Sequence, residues 1–243
     1  MNLIIPAAGL STRFPNLRPK WLLTHPDGNL MIVESIMGLD LSKVDQVYVT
    51  VLSQHLEKHL ITQDDLLNAF SKIGVKPKIC VLKDETSCQP ETIYQTIIQN
   101  NIKGPIFIKD VDNFFSVNVE KGNYLCVYDL HQLSSVNASN KSYVSINDKG
   151  VVDNIVEKKI ITSLFCTGGY SFEEAEEFVE YYNKRTPSSS LFISHIIFDM
   201  ILDNKVFFSK QVENYCDWGT LKEWNDYKSN FMTIFLDLDG VLF

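Results

Sequence analysis

Four short apolar runs, Leu3 to Ala7, Gln46 to Leu52, Lys78 to Leu82 and Pro105 to Lys109, alternate with helix-like segments through the first half of the chain. The helical candidates are Asn29 to Leu39, Asp64 to Ile73 and Glu91 to Asn101, the last two with apolar residues three and four apart. Strand and helix in alternation, with unbroken apolar strands, predict an α/β, Rossmann-like fold with a mixed, mostly parallel sheet flanked by helices. Ligands of such sheets bind beyond the carboxyl ends of the strands. The loops after Ala7, Leu82 and Lys109 are therefore the first places to look for chemistry.

The second half has a different texture. Tyr124 to Leu130, Ser142 to Ile146 and Val151 to Glu157 read as strands, and the turn composition Asn147, Asp148, Lys149, Gly150 joins the last two as a hairpin, a small antiparallel extension of the sheet. Ser171 three residues before Glu174 predicts a capping box opening a helix to Arg185, and Thr220 with Glu223 repeats the pattern. No repeat, low-complexity tract or linker divides residues 1 to 230, which are expected to form one domain.

Charge and cysteine usage narrow the function classes. Of 243 residues, 30 are acidic and 22 basic, a net charge of −8, which leaves no general basic surface for nucleic acid or anionic lipid. Five scattered cysteines without CxxC spacing indicate neither a disulfide framework nor a zinc site and fit a reducing cytoplasm. No apolar run approaches the roughly eighteen residues of a membrane span, and the apolar start is too short for a secretory signal. Membrane insertion is not expected.

Within this acidic chain the first loop is an exception. Ala8, Gly9, Leu10, Ser11, Thr12, Arg13 and Phe14 follow the first strand, then Pro19 and Lys20. A small-residue turn after a strand exposes N–H groups that can cradle phosphate oxygens, and Arg13 and Lys20 add two cations. It is neither a Walker loop nor a GxGxxG turn, since Gly9 has no companion glycines. Taken alone, it reads as a phosphate site or a plain surface loop.

Pro6, Ala7, Ala8 and Gly9, with the Thr12–Arg13 and Pro19–Lys20 pairs, resemble the signature loop of the nucleotidyltransferases that make nucleoside-diphosphate sugars and related activated head groups. The resemblance implies that Pro6, Ala7, Ala8, Gly9, Ser11 and Thr12 meet base and phosphates while Arg13 and Lys20 hold the triphosphate and are the catalytic pair. It continues in order along residues 1 to 230. Gln89, Pro90, Glu91 and Thr92 resemble the nucleoside-recognition turn, which implies nucleotide contacts for Gln89 and Thr92. Asp110, with Asp112 beside it, is similar to the first metal aspartate. Glu157 and Lys158, then Gly168, Gly169 and Tyr170, resemble the acceptor-pocket elements, which implies acceptor contacts for Glu157, Lys158 and Gly169. Asp217, Trp218, Gly219 and Thr220 resemble the late element whose aspartate is the second metal ligand. The chain departs from the pattern at Leu10 and Ser11, where many members have glycines, at Lys109 before the metal aspartate, and at Lys159, where a proline is usual.

The chemistry implied is Mg²⁺-dependent transfer of NMP from an NTP, CTP or UTP favoured, to a phosphorylated small acceptor, with release of pyrophosphate. The default acceptor is a sugar 1-phosphate, for surface polysaccharide or capsule precursors. Phosphocholine, a phosphonate or another head group is the cytidylyltransferase alternative. Both reactants are anionic, so Mg²⁺, Arg13 and Lys20 would supply the needed screening and alignment, and two aspartates are a sufficient protein share for Mg²⁺. The acceptor phosphate is already ionised and needs no general base.

Other readings stay open. Asp110, Val111 and Asp112 also form the D-x-D pattern of a metal-dependent glycosyltransferase, and a non-catalytic nucleotide-binding module would keep the same pocket. Asp110 and Asp112 as solvated turn carboxylates, Asp217 as an acid ahead of a helix and Glu157–Lys158 as a surface pair are the plain structural alternatives. At the C-terminus, an apolar run from Met232 to Leu236 precedes Asp237, Leu238, Asp239 and Gly240, which resemble the first motif of haloacid-dehalogenase-like phosphatases. Residues 231 to 243 are thus expected to begin a fused phosphatase domain, with Asp237 and Asp239 inert without the rest of it.

Overall fold

A computed structural model describes residues 1–133 and 137–232. The elements in chain order are β1 (Asn2–Pro6), α1 (Met31–Glu34), β2 (Leu39–Asp40), β3 (Gln46–Leu52), α2 (Ser53–His59), α3 (Gln63–Ser71), β4 (Lys78–Leu82), α4 (Gln89–Asn100), β5 (Ile106–Lys109), β6 (Asn113–Asn118), β7 (Tyr124–Asp129), β8 (Ser142–Ile146), β9 (Val152–Glu157), β10 (Leu164–Phe172), α5 (Ala175–Asn183), α6 (Ile193–Leu202), β11 (Phe208–Gln211), β12 (Glu213–Asp217) and α7 (Leu221–Lys228).

The main sheet has the order β11-β7-β10-β5-β1-β3-β4, with the β8–β9 hairpin attached to β10. Strands β5, β1, β3 and β4 are parallel, as the apolar runs predict. Strand β10 runs antiparallel between β5 and β7, and β11 returns parallel to β7. Alternation along β1 shows why the runs are apolar throughout. Leu3 and Ile5 pack into one core with Val49, Val51, Leu66 and Phe70, while Ile4 faces the opposite core with Ile93, Ile97 and Ile197. Both faces of the sheet are therefore buried, one under α3 and the other under α4 and α6. A small second sheet, β12-β6-β2, stands apart from the main one.

Two expected elements differ. The helix over Asn29 to Leu39 is regular only across Met31–Glu34. Beyond it the chain tightens into three-residue turns, Ile36 N–H to Val33 O and Met37 N–H to Glu34 O, and passes Gly38 against the Phe115 backbone. A Cβ on Gly38 would lie 2.2 Å from the Phe115 carbonyl oxygen, so the chain turns away into β2 there. Ser171 is not a helix cap. It is fully buried inside β10, opposite Phe107 of β5 and Tyr124 of β7, and its hydroxyl reaches the Glu120 carbonyl at 3.3 Å. Helix α5 starts later, behind Glu174, with no side-chain cap. Pairing on both sides of β10 holds Ser171 in the sheet. Thr220 does cap α7, accepting the Glu223 N–H at 3.2 Å.

The Asn147–Gly150 turn closes the β8–β9 hairpin as expected. All five cysteines are free. No helix among the described residues is long and apolar enough to cross a membrane. Of the expected C-terminal segment only Phe231 and Met232 are described; Asp237 and Asp239 lie outside the described residues.

Candidate active site

A cavity of about 540 Å³ opens beyond the carboxyl ends of β1 and β5, where the strand-end rule points. The loop after β1 forms one wall, the start of α4 and the Asp110–Asn113 turn the floor, and the ends of β9 and β12 the far side.

The first loop is held by its own backbone and one hydroxyl. Ala7 N–H donates to Thr50 O of β3 at 2.7 Å, which keeps the loop on the parallel sheet. Ser11 has a positive φ of 54°. Its hydroxyl accepts the Lys20 N–H at 2.9 Å, so the two ends of the loop are tied together. Phe14, buried beneath it, packs with Trp218 and Trp224. Arg13 and Lys20 consequently face the same acid: Lys20 Nζ is 2.5 Å and Arg13 Nη2 3.5 Å from Asp112 Oδ2.

The acids converge because β12 pairs antiparallel with β6, setting Asp217 opposite Asn113, immediately after the Asp110–Asp112 turn. Trp218 N–H donates to Asp112 O at 2.8 Å and binds the two acid loops directly. A Cβ built on Gly219 would lie 3.0 Å from Asp217 Oδ1, 3.4 Å from Asp112 Oδ2 and 3.6 Å from Arg13 Nη1. Two carboxylates and a guanidinium thus surround one point. Asp110 lies deeper. Its N–H donates to Gly168 O at 2.8 Å, and Gln89 Nε2 donates to its Oδ1 at 2.5 Å. Gly168 has a φ of 86° at the irregularity in β10, and a Cβ there would come within 2.6 Å of Asp110 Oδ2.

Beneath this turn, Lys109 is fully buried. Its ammonium donates to Asp110 O, Asn113 O and Asn113 Oδ1 at 2.8, 2.9 and 2.6 Å, and lies 4.5 Å from the Phe115 ring centre. The lysine closes the turn from below and returns positive charge to a buried acidic site. Burial brings its own pKa down to about 8, against the pull of Asp110 and Asp112. Burial, then the neighbouring Asp112 charge, pushes Asp110 up to about 6. Burial would also raise Asp112, but Lys20 and Arg13 hold it well below the usual carboxylate range.

At the opposite end, Glu157 Oε2 accepts from Ser194 Oγ at 2.7 Å and from Ser142 Oγ. Lys158, at a φ of 55°, lays its ammonium 4.1 Å above the Phe192 ring. Hydroxyls, a carboxylate, a cation and an aromatic face make a polar wall with one flat apolar surface.

Of the residues singled out from sequence, Pro6, Ala7, Gly9, Ser11, Thr12, Arg13, Lys20, Gln89, Asp110, Asp112, Glu157, Lys158 and Asp217 all line this cavity. Ala8, Thr92 and Gly169 do not line it. Ala8 packs inward with Leu52 and Leu82. Thr92 is buried and shares a hydrogen bond with Thr86 at 2.7 Å. Gly169 faces Phe115 and Cys126 from within the sheet, leaving the cavity to Gly168. Sequence reasoning missed Lys109 and Lys141. Lys141 lines the cavity, forms an ion pair with Asp217 and donates to Tyr215 OH at 2.8 Å.

The donor set suits a hard divalent cation, being all carboxylate oxygen. Asp112 and Asp217 are the pair that flank one point, with Lys20 and Lys141 standing on them. Among the described residues, the set of His, Asp and Glu ligand atoms that all lie within 4.8 Å of one another is His25, Asp27 and Glu34, outside this cavity. There His25 is already engaged, by Asp27 N–H at 3.2 Å and Tyr227 OH at 2.8 Å.

No protein-family model matches the chain, and no curated protein matches it in sequence. Solved structures do. A nucleoside-diphosphate-sugar pyrophosphorylase from Vibrio cholerae RC9 superposes with a TM-score of 0.76 at 20% identity, over 93% of this chain and 98% of that one. A putative glucose-1-phosphate thymidylyltransferase from Bacillus anthracis, in complex with a sucrose, gives 0.74 at 16% identity over 97% and 96%. The inositol-1-phosphate CTP transferase from T. maritima gives 0.71 at 14% over 91% and 90%. These neighbours share their α/β architecture with the chain over nearly its whole length, and the fold is the one these nucleotidyltransferases use.

Proposed function

We propose that the chain is a Mg²⁺-dependent nucleotidyltransferase that joins NMP from an NTP to a phosphorylated small acceptor. An oxygen of the acceptor phosphate forms a bond to the α-phosphorus, the bond from that phosphorus to the bridging oxygen breaks, and pyrophosphate leaves with the electron pair. The observation that carries this reading is the gathering of Arg13, Asp112 and Asp217 around one point, with Lys20 paired to Asp112, in a single cavity. Names among the structural neighbours support it: pyrophosphorylase, thymidylyltransferase and CTP transferase.

Each part of the cavity has a task in this chemistry. Arg13 and Lys20 hold the β- and γ-phosphates and stabilise the departing pyrophosphate, while the Gly9–Thr12 backbone receives phosphate oxygens. Asp112 and Asp217, with Asp110 beside them, would hold the Mg²⁺, which supplies charge neutralisation and alignment of the phosphates. Gln89 contacts the nucleoside. Glu157, Lys158 and the Phe192 face meet the acceptor's body, and their mixed chemistry suits a sugar 1-phosphate for surface polysaccharide precursors, or, as the second reading, another phosphorylated head group taken with CTP. A glycosyltransferase fits less well, since a nucleoside diphosphate gives Arg13 and Lys20 no triphosphate to hold. The test is a pyrophosphate-release screen crossing CTP, UTP, GTP, ATP and dTTP with sugar phosphates, phosphocholine, phosphonates and phosphorylated amino-acid derivatives. Release above background for one pair is expected; no release for any pair refutes the proposal.

A further inference from the structure

Lys141 has no counterpart among the residues that the sequence motifs single out, yet it occupies the junction of the two halves of the cavity. Its ammonium pairs with Asp217 Oδ2, and its side chain is only 12% exposed. It donates to Tyr215 OH at 2.8 Å and lies 5.4 and 5.6 Å from the Tyr215 and Phe165 ring centres. No second carboxylate is within ion-pair distance of it among the described residues. Its backbone belongs to the other half. Lys158 N–H donates to Lys141 O at 2.9 Å, and the next residue, Ser142, bonds Glu157.

Both oxygens of Asp217 are engaged in this arrangement, and Oδ1 keeps a lone pair toward the point beside Gly219. Oδ1 accepts the Gly219 N–H at 2.9 Å, and Oδ2 carries Lys141. A divalent ion at the point between Asp217 Oδ1 and Asp112 Oδ2 would stand across one carboxylate from the Lys141 ammonium on Oδ2, and the two would repel in a site this enclosed. Only one can stay. The lysine is the movable one, a point charge on a flexible four-carbon stem, and the acids to either side are already engaged, Asp112 by Lys20 and Arg13 and Glu157 by Ser142 and Ser194. An unpaired anion for it would be one that enters the cavity at the Ser142–Lys158 end.

We infer that Lys141 is an exchangeable cation: it neutralises Asp217 while the metal is absent, yields that carboxylate to the divalent ion, and then pairs with the phosphate of the acceptor. This rests on the nucleotidyl-transfer reading for its second half. The first half, competition between Lys141 and the metal for Asp217, concerns the chain alone. The exchange keeps the local charge nearly constant, so the acids are never left bare and the acceptor phosphate gains Lys141, as a cation additional to Lys158, only once the metal is seated.

Titrating the chain with Mn²⁺ alone, without nucleotide, and counting free ion by electron paramagnetic resonance tests the competition. Removing the competitor in Lys141→Gln is expected to tighten Mn²⁺ binding, in the direction that mass action sets, by about tenfold if the pair is worth about 1.4 kcal/mol, whereas Lys141→Arg keeps it near the native value. Tyr215→Phe, which removes the hydroxyl that helps seat Lys141, shifts it the same way by a smaller factor and covers the case of a poorly folded Lys141→Gln. Unchanged or weaker Mn²⁺ binding in both Lys141→Gln and Tyr215→Phe overturns the inference. With an acceptor that supports pyrophosphate release, KM for the acceptor should rise about tenfold or more in Lys141→Gln and recover in part in Lys141→Arg, with the KM for the triphosphate moving less than about twofold. Equal rises in both KM values, or none, overturn the second half. If the native chain releases no pyrophosphate with any acceptor, the functional reading fails, and the Mn²⁺ titration still decides the competition.

Discussion

Lys20 Nζ lies 2.5 Å from Asp112 Oδ2, joining two residues 92 positions apart across the mouth of the cavity. Neither belongs to a long element: Lys20 opens a single turn after the first loop, and Asp112 sits just before β6. Their meeting depends on the parallel pairing of β1 with β5, which brings both strand ends to one edge of the sheet. With side chains 18% and 14% exposed, the pair is shielded enough for each charge to need the other.

A double-mutant cycle measures that need. Lys20→Met leaves Asp112 with Arg13 alone, Asp112→Asn leaves Lys20 unpaired, and the double variant removes the conflict. The expected coupling is about 1 to 3 kcal/mol in urea unfolding. All three variants should lose pyrophosphate release, by about 2 to 4 kcal/mol of transition-state stabilisation for Lys20→Met. Additive stabilities would mean that the ion pair contributes nothing to the fold.

Gly219→Ala separates folding from metal binding. Gly219 has no left-handed backbone, so alanine is allowed there, but its methyl would stand 3.0 Å from Asp217 Oδ1 and 3.4 Å from Asp112 Oδ2. The melting temperature is expected to change by only a few degrees, while Mn²⁺ affinity falls about tenfold or more, since the methyl takes the space between the carboxylates. Native affinity in a folded Gly219→Ala chain would place the ion elsewhere.

Ser11 explains one departure of the first loop from the glycines usual in chains that it resembles. At a φ of 54°, glycine is the easy residue, and serine is strained. The hydroxyl's bond to Lys20 N–H offsets that strain and fastens the loop. Ser11→Ala keeps the strain and loses the bond, so it should destabilise the chain by about 1 to 2 kcal/mol. Ser11→Gly loses the bond but relieves the strain and should cost less. Urea unfolding ranks the two; the reverse order would mean that the positive φ carries no strain, and native stability in Ser11→Ala would assign the tie no energetic role.

The parallel half of the fold was legible because its strands are buried on both faces and carry unbroken apolar runs. The same reading pointed to the loops after β1 and β5, whereas Glu157, Lys158 and Asp217, from the antiparallel half, came only from the resemblance of their motifs. What could not be read depended on long-range pairing. Ser171 and Glu174 carry a capping pattern, but β5 and β7 hold Ser171 in the sheet. Lys109 looks like an ordinary polar end to a strand; only the closed turn from Asp110 to Asn113, with its three inward acceptors, makes a buried lysine tenable. Lys141 follows a stretch of Ser and Asn with no periodicity, and its partner Asp217 is 76 residues away. The two metal-ligand candidates expected to act together were Asp110 and Asp217, yet Asp112 is the one beside Asp217, because the turn sends Asp110 down toward Gln89.

His55 gives the fold a measurable response to acid. It is buried, and its Nδ1 accepts the Trp21 indole N–H at 3.3 Å, beneath the cavity wall that Trp21 forms. Burial first, then the positive neighbours His59 and Lys58 against the pull of Glu85, lowers its pKa below the ordinary 6.5. The unfolded chain therefore takes up this proton near pH 6.5 while the native chain still refuses it. Stability from the neutral imidazole is complete above pH 6.5 and is lost as the pH falls through the lower native pKa. His55→Gln keeps an acceptor for Trp21 without a proton to bind. Between about pH 7.5 and about pH 5.5 the variant should lose less unfolding free energy than the native chain, by up to about 1 kcal/mol. Other groups that titrate in this range, Asp110 among them, are common to both chains and cancel in the comparison. Equal losses would show that His55 is protonated in the native state and that Trp21 is held by something other than a neutral imidazole.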